Sequence, residues 1–221
     1  SLDDKDILFI DEIHRLNKAV EEVLYPAMED KKIDVVIGKG PSSRPLRFNL
    51  HNFTLIGATT KASMLSAPLR DRFGLIQRLD YYTLQDIINI INKNATTLNI
   101  GIDDGGAYEI ASRSRGTPRI ANRLLKRTRD YAQVKGNNFI DKEVSNSALN
   151  LMDIDKHGLD DLDRKILTLI AHKYSGGPAG IDSISLALGE DKGTIEEVHE
   201  PYLIQIGMLK RTSRGRMITE L

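Results

Sequence analysis

Ile7–Glu12, ILFIDE, is the stretch on which the fold turns. Four apolar residues run directly into two carboxylates, which reads as a buried strand whose polar end emerges at its carboxyl edge. Open α/β sheets carry their chemistry at that edge. Outward from this strand, Ile13, Leu16, Val20, Val23 and Leu24 recur at helical spacing, and Pro26 is predicted to end or kink the helix. Phe53–Ala58, FTLIGA, reads as a second buried strand and Leu75–Leu79 as a third, with a short helix over Ser66–Arg72 between them. Apolar strands alternating with helices predict an α/β unit with a parallel sheet covered on both faces. From Lys31 to Leu50 the period changes to alternation around Gly38–Pro41, which predicts a β-hairpin, IDVVI turning into LRFNL.

Beyond Tyr82 the strands give way to helices, predicted over Leu84–Leu98, Asp103–Arg115, Pro118–Val134 and Asp141–Met152. Gly116 stops one of these, Thr117 caps the next, and Pro118 takes its first position. A polar hinge at Asp153–Gly158 leads to three more helices, Leu159–Lys173, Ile181–Leu188 and Thr194–Ile206. Met208–Ile218 then reads as strand, turn and strand, which gives a winged-helix pattern. No internal repeat or low-complexity segment interrupts the 221 residues.

Composition narrows the function classes. Thirty-one basic residues balance 31 acidic ones, so a globally cationic nucleic-acid binder is excluded and any such contact must be local. The absence of cysteine excludes disulfides and thiolate metal sites and agrees with a reducing cytoplasm. No apolar run is long enough for a membrane span, and the acidic start SLDDKD has no apolar signal core.

The candidate chemistry sits at the strand ends. An aspartate at the position of Asp11 can hold Mg²⁺, and a neighbouring Glu12 can orient and deprotonate a water that attacks a phosphate. Asp11 equally suits a helix N-cap, with Glu12 favouring the helix dipole. Thr59 and Thr60 end the second strand, where a hydroxyl can read a phosphate or simply close a turn. Arg70 and Arg72, in PLRDRF, can reach a neighbouring subunit's phosphate or end a solvated helix. Arg119 stands at the second position of a helix, where a cation is disfavoured unless an anion is held nearby or the side chain bends back to a carboxylate. Near the C-terminus Lys210, Arg211, Arg214 and Arg216 cluster on the wing, either as phosphate contacts or as a solvated charged hairpin.

Taken in order, LFIDEIHR, EEVLYPAMED, DVVIGKGPSSRPLRF, TLIGATT, PLRDRFG, GTPRIANRLL, GGPAGID, EPYLIQIG and RTSRGRM resemble the AAA+ ATPases, and within them the RuvB family of Holliday-junction branch-migration motors. The resemblance covers essentially the whole chain. It implies a truncated AAA+ parallel-sheet domain over residues 1–82, an all-α lid over 83–156 and a winged-helix domain over 157–221. It implies ATP or ADP with Mg²⁺ as cofactors. Asp11 is then the Walker-B magnesium residue, Glu12 the catalytic glutamate, and Thr60 with Thr59 the first sensor. Arg72 is the arginine finger, with Arg70 as the alternative. Tyr82 lines the nucleotide pocket and Arg119 is the second sensor. Val35, Val36 and Ile37 in the hairpin would dock RuvA, although ordinary strand packing explains them equally well. Arg211 and Arg216, with Arg214 beside them, would grip double-stranded DNA. A homo-hexameric ring, with RuvC as a further partner, completes the expectation.

The departure from the family is the missing phosphate loop. No G-x-x-x-x-G-K-[ST] string occurs in the sequence, so these 221 residues alone are expected neither to hold ATP tightly nor to hydrolyse it appreciably. A non-hydrolysing DNA-binding adaptor and a clamp-loader-like ATPase remain the alternatives.

Overall fold

The computed structural model describes residues 2–37, 44–135 and 137–219. The chain divides into two units, Ser1–Leu79 and Asp80–Leu221.

In the first unit, β1 (Asp6–Ile10) pairs in parallel with β4 (Phe53–Gly57), Ile10 lying opposite Gly57. Both strands therefore deliver their following residues to one edge, and that is what assembles the candidate site. Ile13 packs under this edge, where a side chain on Gly57 would stand 2.9 Å from Ile13 Cδ1. The helical spacing after Asp11 is realised in two pieces. A 3-10 turn at Ile13–Arg15 precedes α1 (Lys18–Glu29), which Asn17 caps by accepting from the Val20 amide. Asp11 is thus not the helix cap, and α1 continues past Pro26 to Glu29 rather than stopping there. β2 (Lys32–Ile37) and β3 (Arg44–Asn49) form the expected antiparallel hairpin, with residues 38–43 outside the described part. Its register is pinned by Asp34 and Arg47, opposite one another and joined by two hydrogen bonds of 2.8 and 3.2 Å. The Arg47 guanidinium holds the Asp34 carboxyl below its usual range.

Two expectations for this unit need correction. Residues 75–79 are not a strand, and Leu79 is 93% exposed; no strand among the described residues lies beside them to complete a ladder. The parallel pair is also not covered on both faces, because Ile7 and Phe9 are 65% and 57% exposed. A short helix, α2 (Ala67–Arg70), follows the site edge as expected, capped by the Ser66 hydroxyl.

The second unit holds two hydrophobic cores. α3 (Leu84–Thr97) starts at a capping box between Thr83 and Asp86, and buries Ile87, Ile91 and Ala95 along one stripe. That stripe packs on Ala107, Ile110 and Ala111 of α4 (Asp104–Ser112), on Ala121, Leu124 and Leu125 of α5 (Pro118–Lys135), and on Leu149 of α6 (Lys142–Leu151). Two short strands, β5 (Gly101–Ile102) and β6 (Phe139–Ile140), close this core. The second core is built by Ile166 and Ile170 of α7 (Asp161–Lys173), Ile184 of α8 (Ile181–Leu188), Ile195, Leu203 and Leu209. The helix expected over Thr194–Ile206 is a composite of α9 (Lys192–Thr194), a π turn at Ile195–His199, and α10 (Glu200–Gln205). The wing is the hairpin β7 (Leu209–Thr212) and β8 (Gly215–Ile218), with Ala179 bonded to Arg216 in both directions at 2.8 Å.

One buried network joins the two cores. Arg115 donates to Gly158 O at 3.0 Å, to Asp160 at 3.2 Å and to Asp163 at 2.5 Å, with its guanidinium 4.7 Å above the Tyr202 ring. Asp163, fully buried, also accepts from His199 Nδ1 at 2.7 Å. Burial alone would raise the Asp163 pKa, but the bonds from His199 and the Asp160 amide and the charge of Arg115 outweigh it and hold the carboxyl below its usual range. No helix among the described residues is long and apolar enough to cross a membrane.

Candidate nucleotide and DNA sites

The strand register brings Asp11, Glu12, Thr59 and Thr60 to one edge. Two further bonds extend the ladder past the strands: Ala58 donates to Ile10 O and Ile13 to Ala58 O, both at 2.9 Å. Glu12 sits in the left-handed region at φ 48°, ψ 45°, with its amide bonded to Asp11 Oδ1 at 3.0 Å. Left-handed geometry costs a residue bearing a Cβ roughly 1–2 kcal/mol, so the carboxylate is held there by its surroundings. Those surroundings are the Thr60 hydroxyl, 3.3 Å from Glu12 Oε2, and the His14 ring, whose Nδ1 lies 3.1 Å from the same oxygen. His14 Nδ1 is also 2.8 Å from Thr59 Oγ1, which in turn accepts from the Lys61 amide at 3.0 Å.

His14 is the member of this cluster that sequence reasoning missed. Its signal was its place two residues after Glu12 in LFIDEIHR, a spacing that a 3-10 turn folds back over the glutamate. Asp11 leaves its carboxylate exposed at the edge. A carboxylate is a hard oxygen donor, the type that suits Mg²⁺, and Asp11 offers one here.

Arg70 and Arg72 differ sharply. Arg70 is exposed, 4.0 Å from Asp71. Arg72 is held against α1, with its guanidinium 4.5 Å above the Tyr25 ring and its Nη1 donating to Pro68 O at 2.7 Å. The second unit carries Tyr82, half exposed and bonded through its amide to Gly116 O at 3.0 Å, and Arg119, exposed near the start of α5. Thr117 does not turn its hydroxyl onto α5 but donates to Arg115 O at 3.2 Å. Among the described residues no carboxylate pairs with Arg119, so the bent-back alternative is not the arrangement seen.

On the wing, Lys210, Arg211 and Arg214 are exposed, with Arg211 donating to Glu196 at 3.1 Å. Arg216 is not the free cation that the basic run suggested. It is 5% exposed, and its guanidinium is engaged by Glu200 and by Glu196, the latter at 2.6 Å. The carboxylates that claim it come from the helical segment 16 and 20 residues upstream in sequence, beyond the reach of a local pattern. In the hairpin, the backbone sets Val35, Val36 and Ile37 opposite Leu46, Pro45 and Arg44; the side chains of Val35, Val36 and Ile37 lie outside the described part. Leu46 and Phe48 on β3 are about half exposed.

Known proteins match this arrangement over its full length. Residues 1–79 match the Holliday junction DNA helicase RuvB P-loop domain, residues 82–155 the RuvB AAA lid domain, and residues 156–221 the RuvB C-terminal winged helix domain. A Fusobacterium nucleatum protein described as Holliday junction branch migration complex subunit RuvB is 59% identical over 219 residues, which is 99% of this chain and 66% of that protein. The chain therefore spans just under two thirds of that relative. Among solved structures, the Thermotoga maritima RuvB Holliday junction branch migration motor is 47% identical, with a TM-score of 0.84 over 99% of this chain and 68% of the other. A mutant of the same Thermotoga protein gives 47% identity and a TM-score of 0.86, covering 99% and 69%.

Proposed function

The chain belongs to the RuvB family, and on that premise we propose that it forms the greater part of an ATP-driven motor subunit that moves Holliday junctions along duplex DNA. The observation that carries this reading is the edge cluster: Glu12, held in left-handed geometry between the Thr60 hydroxyl and the His14 ring, beside the exposed carboxylate of Asp11. Asp11 would hold Mg²⁺, which would supply charge neutralisation for the phosphates. Glu12 orients the attacking water and takes its proton, while Thr60, bonded to Glu12, links that carboxylate to the terminal phosphate. The phosphate-cradling string that such a motor requires does not occur in these 221 residues, so the proposal is made for the full-length protein.

The working divisions are residues 1–82 for the ATPase core, 83–156 for the lid and 157–221 for the DNA-binding domain. Tyr82 and Arg119 contact nucleotide, with Arg119 exposed at the second position of α5, near the helix amides that favour an anion. Arg72 completes a neighbouring subunit's site in a six-membered ring. The hairpin docks RuvA, with exposed Leu46 and Phe48 supporting an apolar contact. Arg211 and Arg214 grip phosphates without reading sequence, and Arg216 ties the wing to the helical run behind it.

Steady-state ATP turnover and branch migration by the full-length protein, with its RuvA partner and a four-way junction, test the reading. Glu12→Gln should lower turnover by about a hundredfold or more while nucleotide still binds. Turnover within about threefold of the unaltered protein would end the proposal.

A further inference from the structure

Arg72 rests in a cradle built on α1, and we propose that Tyr25 and Glu29 are the positioning residues that aim this arginine at the neighbouring subunit's nucleotide. The inference rests on the reading of Arg72 as the group supplied in trans. Tyr25 and Glu29 are four residues apart on α1, so the ring and the carboxylate line one helical face. The Arg72 guanidinium lies 4.5 Å above the Tyr25 ring, its Nε stands 3.1 Å from Glu29 Oε1 in ion-pair rather than hydrogen-bond geometry, and its Nη1 donates to Pro68 O at 2.7 Å. A ring face, a carboxylate and a carbonyl that each contact one planar cation restrict both its position and its tilt.

The platform is itself anchored to the element that leads to Arg72. Tyr25 Oη donates to Glu21 Oε2 at 3.1 Å and lies 3.2 Å from Ser66 Oγ, and Ser66 Oγ donates to the same Glu21 oxygen at 2.7 Å. Glu21 is buried. Ser66 caps α2, which runs into Arg72 two residues after its end. One node of carboxylate and hydroxyls therefore ties together the helix that presents the ring and the helix that presents the arginine. Arg70, exposed and near only Asp71, has no such support among the described residues. Glu29 gives the cation a partner to leave when phosphate arrives. Tyr25 and Pro68 keep its approach direction constant while that exchange occurs.

Steady-state ATP turnover by the full-length protein assembled on junction DNA provides the test. Arg72→Ala should lower kcat by about a hundredfold or more. Tyr25→Leu and Glu29→Gln should each lower kcat about five- to twentyfold with the KM for ATP unchanged. Tyr25→Phe, which keeps the ring, should stay within about threefold. Tyr25→Leu added to Arg72→Ala should cause no further loss, because both act through one group. If Arg72→Ala is inactive while Tyr25→Leu and Glu29→Gln match the unaltered protein, the cradle is refuted and the role of Arg72 stands. If Arg72→Ala turns over normally, the reading beneath the inference fails. Losses in KM, parallel losses in thermal stability, or additivity in the double variant assign Tyr25 and Glu29 a merely structural part and overturn the inference.

Discussion

Replacing Asp163 with alanine should cost the second unit about 3 kcal/mol, and the figure follows from what the carboxylate holds. Asp163 is fully buried and is the shared acceptor for Arg115 at 2.5 Å, His199 at 2.7 Å and the Asp160 amide at 3.0 Å. Deleting one partner of a buried ion pair typically costs ~3–5 kcal/mol, because the other charge stays buried without compensation. The lower end applies here, since Arg115 keeps Gly158 O and Asp160 as acceptors. For a domain of this size that corresponds to a fall in Tm of roughly 6–12 °C. The folded-state pKa of Asp163 is depressed, so its contribution is fully present above the ordinary carboxylate pKa and is lost as pH falls through the lower, folded value. The stability gap between parent and Asp163→Ala should therefore be constant near neutrality and begin to close below about pH 4. Urea unfolding of the 221-residue chain across that range is the assay. A loss under about 1 kcal/mol at neutral pH, or a gap that widens with acid, would show that the network between the two cores is ornamental.

Two further outcomes follow from the wing. Arg211→Ala should weaken binding to duplex DNA of any sequence and reduce the slope of log affinity against log salt by about one, measured by anisotropy titration; an unchanged slope would remove Arg211 from the phosphate contacts. Gly215→Ala should destabilise the winged-helix core by about 2 kcal/mol or more, because φ is +137° and the new Cβ would stand 2.4 Å from Ala179 O, a backbone atom that pairs with β8. Gly207→Ala, also at positive φ but with nothing within 4 Å, is the comparison; equal losses at the two glycines would contradict the packing argument.

The elements most legible in the sequence were those whose signals are local. The helix expected over Leu84–Leu98 is realised as α3, Leu84–Thr97, where the structure shows the stripe Ile87, Ile91, Ala95 and a cap at Thr83. ILFI and FTLIGA announced β1 and β4, and their parallel register then placed Asp11, Glu12 and Thr60 together. What failed to show were features decided by distant partners. Residues 75–79 have the apolar content of a strand, but a strand is defined by the neighbour that completes its ladder. The wing's basic run reads as four equivalent cations, yet Glu196 and Glu200 withdraw Arg216 into the interior. The cradle around Arg72 is built from Tyr25 and Glu29, more than 40 residues earlier, and no spacing rule connects them.

The left-handed backbone at Glu12 has a consequence for how this family can vary. Glycine would relax that position, and asparagine would tolerate it, yet neither can serve as a base toward water. If Glu12 is the base proposed above, a change that relaxed this position would remove the carboxylate the chemistry needs. On the proposed reading, that φ angle records a trade between robustness and work.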